Sequence, residues 1–113
     1  MAGIVFERVK DMLPVSGDDY NSAIVTQIKA AALDLTTSAE IVLPGEIDIS
    51  ASGQTVTDNS TLEDDLVITA IATWCNMRIG NPPNYEQLLK AYNSLKGQMR
   101  ISKTYTRYEG AEA

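Results

Sequence analysis

The stretch from Asn59 to Arg107 decides the fold. It reads Asn59-Ser-Thr-Leu-Glu-Asp-Asp-Leu-Val-Ile-Thr-Ala-Ile-Ala-Thr-Trp74, then Cys75-Asn-Met-Arg-Ile-Gly-Asn-Pro-Pro-Asn84, then Tyr85-Glu-Gln-Leu-Leu-Lys-Ala-Tyr-Asn-Ser-Leu-Lys96, and ends in a basic, aromatic run. Val67, Ala70, Ile71, Trp74 and Arg78 recur at helical spacing, and Leu66, Cys75 and Ile79 widen that face, which predicts a central helix. Ser60-Thr61-Leu62-Glu63 has capping-box spacing, and Glu63, Asp64 and Asp65 suit a first turn because acids there oppose the helix dipole. Gly80 predicts the stop and Asn81-Pro82-Pro83-Asn84 a corner. Asn84, with Gln87 three residues on, predicts the cap of the next helix. There Tyr85, Leu88, Tyr92, Leu95 and Met99 form one stripe able to pack on the helix before it.

Working outward, Ile4, Val5, Val9, Met12 and Leu13 mark an amphipathic first helix that Pro14 ends. Ser16-Gly17-Asp18-Asp19 is a turn whose acids suit the N-terminus of a second helix, expected over about Tyr20–Leu35 with Ile24, Ile28, Ala31 and Leu35 as its buried stripe. Residues 40–59 switch to turn and alternating patterns: Ile41-Val42-Leu43, Pro44-Gly45, Ile47 to Ser50, the turn Ser52-Gly53-Gln54, and Thr55-Val56-Thr57. They predict an inserted loop with a small β-hairpin held down by Ile47, Ile49 and Val56. From Arg100 the chain alternates, with Ile101, Lys103, Tyr105 and Arg107 on one side and Ser102, Thr104, Thr106 and Tyr108 on the other. That reads as an extended strand without an obvious partner in its own chain. The fold class expected is therefore all-α: a four-helix domain over residues 1–99 with an inserted loop or hairpin, and an extended C-terminal docking tail over 100–113.

The length of 113 residues suits one domain, and 44% hydrophobic residues are enough for a core. The net charge of −6 argues against a protein that binds nucleic acid by neutralising phosphates. That charge is unevenly spread. Residues 1–65 carry 12 acids and 3 bases, whereas residues 66–108 carry one acid, Glu86, and 6 bases, so the two ends are suited to different surroundings. One cysteine and no histidine rule out an internal disulfide and the usual zinc sites. No basic flank precedes an apolar core at the N-terminus, so no secretory signal is expected, and no apolar run is long enough for a membrane span.

Candidate chemistry is sparse. Asp48-Ile-Ser50-Ala-Ser52-Gly53 resembles the first half of a calcium loop, but Asn59 stands where a bidentate Glu is needed, so a polar turn is the better reading. Neighbouring acids at Glu63-Asp64-Asp65 point in different directions on a helix, and Cys75 lies on an apolar face with no base to activate it. No phosphate loop or nucleophile elbow occurs. No catalytic residue, cofactor or metal is therefore expected. The two helices around the Pro-Pro corner could be a helix-turn-helix regulator, although its second helix offers only Lys90, Lys96, Gln87 and Asn93 to DNA. A helical interaction module of unknown partner is another alternative. The composition of the tail points to a protein interface: Arg100, Ile101, Lys103, Tyr105, Arg107 and Tyr108 mix the Arg and Tyr types that anchor interfaces. Truncation after Gly97 is expected to remove docking while leaving helical content nearly intact.

Four stretches carry a family resemblance: Ser16-Gly17-Asp18-Asp19-Tyr20, Leu62-Glu63-Asp64-Asp65-Leu66-Val67, the run from Pro83 to Leu95, and Met99-Arg100-Ile101-Ser102. In order and spacing the chain resembles the head–tail connector (adaptor) proteins of long-tailed bacteriophages. Residues 40–59 match nothing in that pattern. The resemblance implies a helical core and a homo-oligomeric ring of twelve copies under the portal vertex, located in the neck of the virion and made in the host cytoplasm. It implies contacts with the portal protein and with a neck or tail-completion protein, and DNA only as cargo passing through the channel. It also implies that the C-terminal segment fastens the subunit to the portal.

Overall fold

The computed structural model describes residues 3–79 and 82–105. Four helices, α1 (Val5–Asp11), α2 (Asn21–Leu33), α3 (Asp65–Arg78) and α4 (Tyr85–Arg100), enclose the core, and an antiparallel hairpin of β1 (Ile49–Ser52) and β2 (Thr55–Asp58) lies against α2. As its broad apolar face predicts, α3 is central, packing on α1, α2 and α4. Val67, Ile68, Ile71 and Cys75 of α3 meet Val5, Val9, Ile24, Ile28, Tyr92 and Met99 in one buried cluster.

The hairpin expected between residues 40 and 59 is present. Its two-residue turn begins at Gly53 with φ of 62°, the left-handed conformation that a tight hairpin assigns to glycine. Ile49 is its buried anchor, with Ala51 and Val56 half-buried on the same side. Asp58, at the end of β2, organises the start of the chain. One carboxylate oxygen accepts the Phe6 N–H (2.9 Å), the other accepts the Ser60 N–H (2.9 Å), and its carbonyl accepts the Gly3 N–H (2.7 Å). The first turn of α1 is thus capped from 52 residues away.

Several local expectations are corrected. The capping box at Ser60–Glu63 does not form: α3 starts at Asp65, and Asp64 is its cap, accepting the Val67 N–H at 3.0 Å from an extended backbone (ψ 124°). Ser60 and Thr61 use their hydroxyls elsewhere, accepting the N–H groups of Asp48 (2.9 Å) and Glu46 (2.8 Å) and so fastening the loop before β1. Asn84 precedes α4 with ψ of 34°, outside the extended region from which a cap side chain turns back, and it makes no such bond. Asp18 and Asp19 do not cap α2 either; Asp18 meets Lys10 and Asn21, and Asp19 accepts from Gln54 of the hairpin turn. Gly80 and Asn81, the expected stop and the start of the corner, lie outside the described residues.

The second helix does not simply stop near Leu35. It widens into a five-residue π-helical turn, Asp34–Ser38, in which the Ala39 N–H bonds the Asp34 carbonyl. The Thr36 and Thr37 hydroxyls donate back to the carbonyls of Ala32 (2.9 Å) and Leu33 (2.6 Å), competing with the regular ladder. The widened turn buries Leu35 completely. The chain then reverses through Glu40, a non-glycine residue with φ of 56°.

The extended tail is corrected over its described part. Arg100 is the last residue of α4, Ile101 caps that helix, and Lys103–Tyr105 form a 3₁₀ turn. The Ser102 hydroxyl accepts the Thr104 N–H (3.2 Å), a local bond that favours the turn over a strand. The Tyr105 carbonyl accepts the Val42 N–H at 2.7 Å, so the chain is tied back to its own body. Tyr105 is the reason: it is 8% exposed and belongs to the core, so over residues 101–105 the period-two reading took one buried anchor for part of an alternating face.

Candidate interaction surface

Two tyrosine–carboxylate pairs fix the end of the molecule where α4 and the following turn return to the core. In the first, the Tyr92 hydroxyl donates to Asp34 Oδ2 at 2.6 Å, and Lys96 Nζ lies 3.3 Å from the same oxygen. The Tyr92 ring meets Trp74 at 5.4 Å between centroids, and Lys96 sits over the Tyr92 ring itself, 4.8 Å from its centroid. Arg78 stacks over Trp74 at 4.2 Å, and the indole N–H donates to Gln27 Oε1 at 3.0 Å. This chain of contacts joins α2, the π-helical turn, α3 and α4. Burial, reinforced by the bond to Asp34, pushes the Tyr92 hydroxyl far above the ordinary phenol range. It therefore acts as a fixed donor.

In the second pair, the Tyr105 hydroxyl lies 2.9 and 2.8 Å from the two oxygens of Asp64, the residue that also caps α3. Burial and then the Asp64 contact push this phenol up to about 12. Asp64 is thus a shared acceptor for a helix start and for the returning chain. The Cys75 thiol is fully buried and pushed up to about 12 by burial, a packing group as the sequence predicts. Among the described residues no cluster of three His, Cys, Asp or Glu side chains is placed to hold a metal ion, and no helix is long and apolar enough to cross a membrane.

The six expected interface residues separate. Arg100 and Ile101 come together on the surface at the end of α4, and Ile101 is 87% exposed, the highest value among the large hydrophobic residues described. Lys103 opens the 3₁₀ turn, and Tyr105 faces the core. Arg107 and Tyr108 lie outside the described residues. Since Met99 and Tyr105 are buried, truncation after Gly97 would remove core side chains, so the expectation of nearly intact helical content is revised.

Sequence reasoning missed a groove of about 470 Å³ between α2 and the loop before β1, lined by Lys29, Leu33, Thr36, Leu43, Glu46 and Ile47 among others. Leu33 is 62% exposed there. A signal was available: Leu33 stands outside the Ile24, Ile28, Ala31 and Leu35 stripe, leaving a large aliphatic side chain without a place in the core. A second groove, of about 480 Å³, is framed by Pro14, Tyr20, Ile79 and Pro82. No known protein family, curated protein or solved structure matches the chain.

Proposed function

We propose that this chain is a structural head–tail connector subunit of a bacteriophage neck, one copy in a ring under the portal vertex. The observation that carries this reading is the exposed Arg100–Ile101 end of α4, an apolar side chain beside a cation, at a position that falls within the resembling stretch Met99–Ser102. Burying such a side chain in an assembly contact contributes about 1.5–3 kcal/mol. The functional mode is assembly without turnover, with helix faces and the chain end making subunit–subunit and subunit–portal contacts. Charge supports the same reading. The chain's net charge of −6 repels phosphates, which suits a channel that DNA traverses without adhering.

The test is mass measurement of the full-length chain at rising concentration, alone and with the portal protein of the same phage. Rings, or a stoichiometric complex with the portal, are expected. A strict monomer that binds no portal refutes the proposal. Salt-dependent, sequence-selective DNA binding would replace it with the regulator reading.

A further inference from the structure

We infer that neighbouring copies of this chain join head to tail, with Ile101 of one copy seated in the α2 groove of the next and Arg100 paired with the acidic rim of that groove. The inference rests on the ring reading above, whose subunit contact it names. Ile101 and Leu33 are the two most exposed large hydrophobic residues described, at 87% and 62%. One stands at the end of α4 and the other in the groove with Leu43 and Ile47. Ile101 does not fill the groove of its own chain, being exposed and absent from its walls.

The two surfaces are different patches of the chain. Lys29, Ala32, Leu33 and Thr36 line the groove at i, i+3, i+4 and i+7, whereas Asp34 faces α4 through Tyr92 and Lys96. At about 100° per residue, Leu33 and Ala32 lie about 100° and 200° round the helix from Asp34. A knob and a groove made of different residues form a heterologous contact, which closes into a ring when the rotation between copies allows.

Charge selects a second copy as the occupant. Glu40, Glu46 and Asp48, on the loop that walls the groove, are exposed, and no ion pair engages them among the described residues. On α4, Lys90 and Arg100 are exposed and, among the described residues, form no ion pair. The basic end of one copy therefore complements the acidic loop of the next, while Lys29 on the opposite wall leaves Glu46 as the side toward which Arg100 turns.

The test mixes full-length Leu33→Cys and Ile101→Cys variants at a concentration where the wild type self-associates by sedimentation. Cys75 is buried and does not compete in the folded chain. Mild oxidation should give mainly the mixed dimer, since a disulfide forms only where the two Cα atoms come within about 7 Å. Ile101→Asp should weaken self-association by about tenfold to hundredfold, the effect of one buried aliphatic side chain. Arg100→Glu should weaken it, and Glu46→Arg in the same chain should restore part of the loss. If the wild type associates but Ile101→Cys links chiefly to itself, or Ile101→Asp associates normally, the contact is wrong and the ring reading stands. A wild type that stays monomeric, with and without portal, overturns both.

Discussion

Asp64 holds two parts of the structure at once, so removing its carboxylate has consequences that can be apportioned. In Asp64→Ala the Val67 N–H loses its cap, a loss of about 1 kcal/mol. The Tyr105 phenol, 8% exposed, loses a charged acceptor at 2.8–2.9 Å, which adds about 1.5–3 kcal/mol. The expected total is about 2–4 kcal/mol, or a fall in Tm of roughly 8–16 °C for a chain of this size. Asp64→Asn keeps a competent cap and should cost less than the alanine change. Tyr105→Phe should cost about 1–1.5 kcal/mol, because the half-buried carboxylate it abandons keeps the Val67 N–H and gains access to water. The assay is chemical denaturation of the wild type, Asp64→Ala, Asp64→Asn, Tyr105→Phe and the double variant Asp64→Ala with Tyr105→Phe. A coupling energy of about 1–2 kcal/mol is expected; if the two effects add within about 0.5 kcal/mol, the latch between the returning chain and α3 is refuted. The pH dependence has a definite sign. The folded Tyr105 phenol titrates near 12 and an unfolded one near 10, so its stabilisation is complete below pH 10 and declines as pH rises toward 12. Tyr105→Phe should make that alkaline decline shallower.

Gly3→Ala should lower stability by about 1–3 kcal/mol in the same assay, because a Cβ there would sit 2.6 Å from Asp58 Oδ1 and 2.7 Å from the Ser60 carbonyl oxygen. Asp65→Asn should change stability by less than about 0.5 kcal/mol, although Arg8 lies 2.6 Å away, since the Asp65 side chain is 81% exposed. The Cys75 thiol should react with a thiol reagent at pH 8 only at the rate of global opening, and rapidly in denaturant; fast labelling of the native protein would contradict its burial.

Much of the scaffold was legible because helices declare themselves through periodicity. The Val67–Cys75 face and the Leu88–Met99 part of the expected stripe repeat with the helical period and turn to the core, whereas Tyr85 at its start is exposed. The hairpin turn was equally plain, since Gly53 at a tight reversal meets a steric requirement local to a few residues. Ends were less legible. Ser60-Thr61-Leu62-Glu63 and Asp64 both have cap chemistry, and the choice fell to Asp64 because Ser60 and Thr61 bond the loop at Asp48 and Glu46, which lie 12 and 15 residues away in sequence.

By itself, then, the sequence determined four helices, a hairpin between the second and third, a buried unreactive cysteine and a chain divided into acidic and basic parts. These depend on local sterics, on repeat spacing and on composition, all of which one strand of residues contains. The tertiary structure alone decided what the stretch after α4 does. Arg100 and Ile101 stay on the surface, while Tyr105 turns inward, because the half-buried Asp64 carboxylate accepts from its hydroxyl and the Val42 N–H donates to its carbonyl. Both partners are some 40 to 60 residues distant along the chain, and only folding brings them within hydrogen-bond range.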